Sequence, residues 1–168
     1  MATLTPQERL QPALLDRLLD DEPEATKEAA DRRVMNKAQL RQAVLRDLAW
    51  LFNTTRLGTS ESLAGMSEAQ RSVVNFGLPA LSGQTASTLD VIGLERSVKQ
   101  AIIDFEPRIL PGTLEVRALS TEEQLDRHNM ISVEIRGTLW GQPVPIAILL
   151  RTEVDLESGE VAIEDLGS

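Results

Sequence analysis

The sequence contains no cysteine and no tyrosine, and its aromatic side chains are three Phe and two Trp. The lack of cysteine excludes disulfides, thiolate metal sites and cysteine nucleophiles, and it fits a reducing compartment. Long apolar runs are also missing, since the run from Val144 to Leu150 is interrupted by Pro145 and is far too short to cross a bilayer. No basic-then-apolar leader opens the chain, so we expect a cytoplasmic protein.

Positive charge is scarce as well. Against 26 Asp and Glu there are 17 Lys and Arg, and the net charge is −9. Binding of phosphate backbones relies on a basic surface, and anionic membranes attract basic segments. We therefore expect neither nucleic-acid binding nor direct membrane insertion. The length of 168 residues favours one domain with a terminal extension.

The residues needed for catalysis are few. Histidine occurs once, at His128 in a polar segment, and one His without Cys cannot build the usual zinc site. No nucleophile elbow, phosphate loop or dinucleotide fingerprint is present. Paired carboxylates carry little information in so acidic a chain, so a hydrolase is disfavoured. We expect no catalytic residue, no metal and no cofactor.

Residues 1–39 are predicted to form an N-terminal extension. Leucines recur at helical spacing from Leu10 to Leu19, which predicts a short amphipathic helix ending near Pro23. Residues 21–39 are rich in charge and alanine, as expected of a solvated linker. Two roles for the helix stay open: packing on its own core, or docking on a partner, which the charged linker would permit.

Residues 40–168 are predicted to form an α+β domain whose helices come first. Helical spacing is clearest over Leu40–Phe52 and again from Leu94 to Phe105. Between them, Ser67–Phe76 predicts a shorter helical piece that Gly77 ends in a left-handed conformation.

The second half of this domain changes to alternating apolar and polar residues. Strands are predicted over Leu114–Ala118, Ile131–Leu139 and Val144–Val154, with a short fourth at Val161–Ile163. The predicted fold is therefore α+β, with N-terminal helices packed on one face of a three- to four-stranded C-terminal antiparallel sheet.

One short segment between the last helix and the sheet combines opposite charges with proline. Glu106 at a helix C-terminus opposes the helix dipole, and Pro107 fixes the backbone that follows. If the segment is extended, Glu106 and Arg108 project to the same side. Two interpretations stay open: the pair satisfies itself or local backbone as a structural clamp, or it forms a polar docking point for a partner.

Three ordered segments resemble the TssE baseplate wedge family of type VI secretion systems, which is related to wedge proteins of contractile phage tails. They are RDLAWLFNTTR from Arg46, SVVNFGLPALSG from Ser72 and IIDFEPRIL from Ile102. Leu14–Leu18 also resembles the start of such proteins. The similarity covers roughly residues 40–155, and Ala80 replaces the aspartate common in the family.

The resemblance implies a structural, non-enzymatic baseplate protein that forms wedges with TssF and TssG at the cytoplasmic face of the inner membrane. Further implied partners are TssK, the sheath proteins TssB and TssC, and the VgrG hub. Glu106, Pro107 and Arg108 would contact the wedge core bundle, whereas Trp50 and Phe52 would be ordinary core.

A sheet with unpaired edges suits such a role, because an edge can accept a strand from a sheath protein. A regulatory anti-adaptor of the same fold remains the alternative function. The older label "lysozyme-like" for the family, which would make the chain a peptidoglycan hydrolase, has no support in these residues.

Overall fold

The computed structural model describes residues 12–18, 35–83, 90–119, 130–141 and 144–167. Within these ranges the α-helices are Leu14–Leu18 (α1), Lys37–Phe52 (α2), Ser67–Gln70 (α3) and Val91–Phe105 (α4). Short 3-10 helices lie at Leu57–Thr59, Val73–Asn75 and Pro111–Thr113. The strands are Glu115–Leu119 (β1), Met130–Leu139 (β2), Ile146–Asp155 (β3) and Val161–Asp165 (β4). They form one antiparallel sheet in the order β1-β2-β3-β4, which confirms the α+β prediction.

The two long helices begin at side chains that satisfy their first backbone N–H groups. Before α2, the Asn36 side chain accepts from Gln39 N (2.9 Å) while the Gln39 side chain accepts from Asn36 N (2.8 Å). Asp90 caps α4 by accepting from Gly93 N at 2.9 Å.

The core lies between α2, α4 and one face of the sheet. Alternation along β2 and β3 turns every second side chain inward, as the pattern predicted. Thr152 is the polar exception on this face, and its hydroxyl donates to Val133 O at 3.2 Å. The largest fully buried side chains are aliphatic: Leu48, Leu51, Ile102, Ile109, Ile135, Leu139, Leu150 and Leu156.

The prediction of one continuous helical segment over Ser67–Phe76 is wrong. It is divided into α3 and a 3-10 helix, because side chains take backbone groups that a longer helix would use. Asn75 Nδ2 donates to Gln70 O at 2.9 Å, and Ser72 Oγ donates to Ala69 O at 3.0 Å.

Gly77 has the positive φ that was predicted, 120°, but for a different reason. Leu78, which follows it, pairs with the segment just after α2: Leu78 N donates to Thr54 O at 2.8 Å, and Arg56 N donates to Leu78 O at 2.9 Å. A Cβ at Gly77 would lie 2.2 Å from Thr54 O. The position therefore needs glycine for close backbone approach as well as for its φ.

The sheet edges, expected to be unpaired, each carry a helix side chain. On β4, the Asn53 side-chain amide donates to Val161 O and accepts from Val161 N, both at 2.9 Å. On β1, Glu95 of α4 accepts from Ala118 N at 2.7 Å. These bonds occupy part of each edge, which opposes unspecific strand pairing.

Several predictions fall outside the described residues. These are the two ends of the N-terminal helix, most of the linker over 21–39, and His128. The division of the chain at residue 39 stays a prediction. Among the described residues, no helix has the length and apolar character needed to span a membrane.

Candidate functional site

The corner formed by Glu106–Ile109 joins α4 to the sheet. Glu106 is the C-cap of α4, and its N–H donates to Ile102 O at 2.8 Å. The extended geometry considered for this segment is wrong, because Ile109 N donates to Glu106 O at 3.1 Å and closes a turn. Pro107 occupies the second position of that turn, where its fixed φ is favourable.

Backbone bonds fasten the corner to the end of β2. Trp140 N donates to Arg108 O at 2.7 Å, and Leu110 N donates to Thr138 O at 2.9 Å. Ile109, which is fully buried, forms an antiparallel bridge with Leu139. The corner is therefore held by a strand that has a neighbour on each side.

Glu106 and Arg108 contact each other directly within the corner. The Glu106 side chain is only 3% exposed, and its Oε1 accepts from Arg108 N at 3.1 Å and Arg108 Nε at 2.7 Å. Arg108 Nη2 reaches Glu106 Oε2 at 2.5 Å. The mutual contact of a structural clamp is thus present, while contact with a partner stays a prediction.

Arg108 also reaches α2. Its Nη2 donates to Asp47 Oδ2, so one guanidinium holds two carboxylates. Burial alone would lower the pKa of Arg108, but the hydrogen bond and charge of Glu106, followed by those of Asp47, raise it above its ordinary value. Arg108 Nη1 is buried and has no acceptor among the described residues. The cation is therefore permanent and retains one unused donor group.

A second arginine extends this row of charges toward α1. Arg46 Nε donates to Asp47 Oδ1 at 2.9 Å, and Arg46 Nη1 lies 2.7 Å from Asp16 Oδ1. Burial lowers the pKa of Arg46, and its bonds to Asp16 and Asp47 outweigh that effect and raise it. The Arg46 guanidinium also lies over the Trp50 ring, 5.3 Å from its centroid.

Trp50 was expected in the ordinary core, and this is wrong: it is 52% exposed, whereas Phe52 is buried as expected. Trp50 follows Arg46 by four residues, so both lie on one side of α2, away from the buried Leu48 and Leu51. On this side of the helix, the Trp50 ring contacts the Arg46 cation.

An apolar cleft of about 470 Å³ adjoins these charges. Phe76 and Phe105 meet edge to face in its wall, with ring centroids 5.3 Å apart. Its lining residues are Ala13, Asp47, Leu48, Trp50, Leu51, Phe76, Phe105, Glu106, Pro107 and Arg108. Such a surface suits an apolar side chain next to a polar group, which is typical of protein recognition.

Metal binding and nucleophilic catalysis find little support among the described residues around the cleft. Within the described residues, no cluster of His, Asp or Glu could hold a metal ion. The polar groups of the cleft are carboxylates and guanidiniums already engaged with each other. The arrangement can bind and orient, and it contains no activated nucleophile.

The structure brings the three predicted site residues together, and it adds partners that the sequence analysis missed. Asp47, Arg46 and Asp16 lie in separate segments from the corner. Arg46 and Asp47 begin the RDLAWLFNTTR segment that resembles the family, and this position could have indicated that they belong to the site. Nothing in the local sequence indicated Asp16.

Comparison with protein families finds one match, and it covers residues 38–144. The matching family model is described as "Baseplate wedge protein gp25". No curated protein and no solved structure matches the chain. The matched range includes α2, the corner and the cleft residues contributed by both long helices.

Proposed function

Because the chain belongs to the baseplate wedge protein gp25 family, a family of structural baseplate proteins, we propose that it forms wedges with TssF and TssG in a type VI secretion baseplate. TssK, the sheath proteins TssB and TssC, and the VgrG hub are the further partners in this proposal. The assembly lies at the cytoplasmic face of the inner membrane. The role of the chain is to connect other subunits and not to catalyse a reaction.

The observation that carries the proposal is the corner beside the cleft. Glu106 and Arg108 are fixed by each other, by Asp47 and by the backbone of β2, so they lose little conformational entropy when a partner binds. The cleft next to them supplies apolar area that a partner side chain can bury. Glu106, Pro107 and Arg108 thus form the edge of a contact for the wedge core bundle.

The sheet supports the proposed link to the sheath. Backbone groups alternate sides along an edge strand, so Val116 directs its N–H and C=O outward like Ala118 two residues later. Ile163 does the same on β4, two residues after Val161. No described residue bonds these groups, and an extended segment of a sheath protein can pair with either edge.

Binding of a purified TssF–TssG complex tests the wedge assignment. Arg108→Lys keeps the charge but removes the fork that contacts Glu106 and Asp47. The corner is then no longer fixed before binding, and ordering its side chains on binding should lower the affinity about tenfold. Arg41→Lys is the matched control, since Arg41 on α2 also contacts a carboxylate, Asp165, away from the cleft. Affinity is measured by titration calorimetry, and thermal melting verifies that both variants fold.

Two outcomes argue against the proposal in different ways. If the unchanged protein does not bind the TssF–TssG complex, the wedge function is wrong. If the complex binds Arg108→Lys and Arg41→Lys equally well, the function stands and the site is elsewhere.

A further inference from the structure

The helix α1 lies against the cleft with its polar side. Ala13, just before α1, lines the cleft, and Asp16 is directed to Arg46 with its side chain only 10% exposed. Leu14 and Leu18, one turn apart on α1, face solvent at 72% and 71% exposed, and Leu15 is 37% exposed. A helix that packs on its own core turns its apolar side inward, and α1 does the reverse.

The contact that joins α1 to α2 is weak. Among the described residues, the polar contact between these helices is the ion pair of Asp16 Oδ1 with Arg46 Nη1 at 2.7 Å, while Asp16 Oδ2 accepts from Ala13 N at 3.1 Å. Ion pairs near a surface contribute little net stability. A five-residue helix is also unstable by itself, so its place on the cleft depends on this pair.

Arg46 would keep its other bonds if α1 moved away. Its Nε donates to Asp47 Oδ1 at 2.9 Å and its guanidinium lies over the Trp50 ring, whereas Nη1 lies next to Asp16. Nη2 is 2.8 Å from Asp47 Oδ1 but has no hydrogen-bond partner among the described residues. Departure of α1 would leave a cation with a vacant donor beside an apolar cleft. Arg108 Nη1, at the wall of the same cleft, is a second donor without a described acceptor.

We propose that α1 is a displaceable cover of the cleft, and that a wedge partner replaces it with an acidic helical segment. The carboxylate of that segment takes the place of Asp16 on Arg46, and an apolar side chain fills the cleft beside Trp50. This inference rests on the proposed function and adds Arg46 and Trp50 to its contact surface. Arrival of the partner also releases the solvent-facing leucines of α1 from the body.

The test uses the full chain with Trp140→Phe, so that Trp50 is the single fluorescent reporter. Asp16→Asn is added to remove the charge without changing the shape of the side chain. Glu115→Gln is the matched control, because it neutralises an exposed pair with Arg117 on β1. Acrylamide quenching of Trp50 is measured without partner, and affinity for the TssF–TssG complex is measured with it.

We expect stronger quenching of Trp50 in Asp16→Asn and no change in Glu115→Gln. Because the cover no longer competes, Asp16→Asn should bind the complex about two- to fivefold more tightly. If Asp16→Asn leaves the quenching of Trp50 unchanged, the proposal that α1 covers the cleft is wrong. Stronger quenching with unchanged or weaker binding overturns the displacement, since α1 then does not compete. If neither the unchanged protein nor any variant binds the TssF–TssG complex, the proposed function is wrong, and so is the proposal that a partner displaces α1. Quenching of Trp50 then still tests whether α1 covers the cleft.

Discussion

Two arginine–carboxylate contacts of α2, one near its start and one at Asp47, differ in burial and in whether all the donor groups of the arginine that face protein are bonded. Near its start, Arg41 contacts Asp165, the last residue of β4, through two bonds, one of them between Nη2 and Oδ1 at 2.8 Å. One and a half turns later, Asp47 contacts Arg108 of the corner. Asp165 is 18% exposed, whereas Glu106, the second partner of Arg108, is 3% exposed.

The difference distinguishes a structural ion pair from the surface that we propose binds a partner. At the first place, each carboxylate oxygen of Asp165 faces one guanidinium nitrogen of Arg41, and neither residue lines the apolar cleft. At the second place, Arg108 serves two carboxylates, its Nη1 has no described acceptor, and apolar walls lie beside it. Both places pair an arginine with a carboxylate. What distinguishes the second as the proposed binding surface is the Nη1 of Arg108, unbonded within the described residues, and the apolar walls beside it.

The largest effect is expected from Arg108→Ala. Because Glu106 is almost completely buried, removal of its cation leaves an uncompensated charge, and the free energy of unfolding should fall by about 3–5 kcal/mol. Urea denaturation followed by circular dichroism measures it. Adding Glu106→Leu to Arg108→Ala should recover part of the loss, because the buried charge is removed. A loss below about 1 kcal/mol would mean that the corner behaves like the Arg41 contact.

A smaller effect is expected from Arg41→Gln. The pair with Asp165 is bidentate but partly exposed, so the free energy of unfolding should fall by about 1 kcal/mol, the upper end for surface pairs. The same urea titration measures it, with Asp165→Asn as the reciprocal variant. A loss as large as that of Arg108→Ala would remove the distinction between the two places.

The smallest effect is a pH dependence of the Arg41 contact. Burial raises the pKa of Asp165, but the bonds from Arg41 and from Gly167 N outweigh it and lower that pKa below its ordinary value. A lowered folded-state pKa gives stability that is present above about pH 4 and is lost as pH falls through the folded-state value. Melting of the unchanged protein and of Asp165→Asn should therefore converge in acid. A difference that widens as pH falls would contradict this assignment.

Much of the fold follows from periodicity in the sequence. Alternation over Ile131–Leu139 and the apolar stripe of Leu40–Phe52 reflect burial, and burial decides which face of a strand or helix turns inward. The division of Ser67–Phe76 could not be predicted in this way. It depends on side-chain bonds of Ser72 and Asn75 to particular carbonyl groups, which periodicity does not encode.

The site was predictable in part for a related reason. Glu106 and Arg108 are two residues apart, so their contact is local and could be anticipated. Asp47 is 61 residues from Arg108, and their pairing depends on how α2 and α4 pack. Trp50 was expected in the core because of its size, but it lies on the side of α2 that carries Arg46 and is 52% exposed.

The attachment of the corner to β2 has a mechanical consequence. A force that a partner exerts on Glu106–Ile109 reaches β2 through two backbone hydrogen bonds, one donated by Trp140 N and one by Leu110 N. Strand β2 is paired on both sides. Tension is therefore shared across the whole ladder of the sheet without stretching a loop. In the proposed wedge, such a short route would let the chain stay rigid under load.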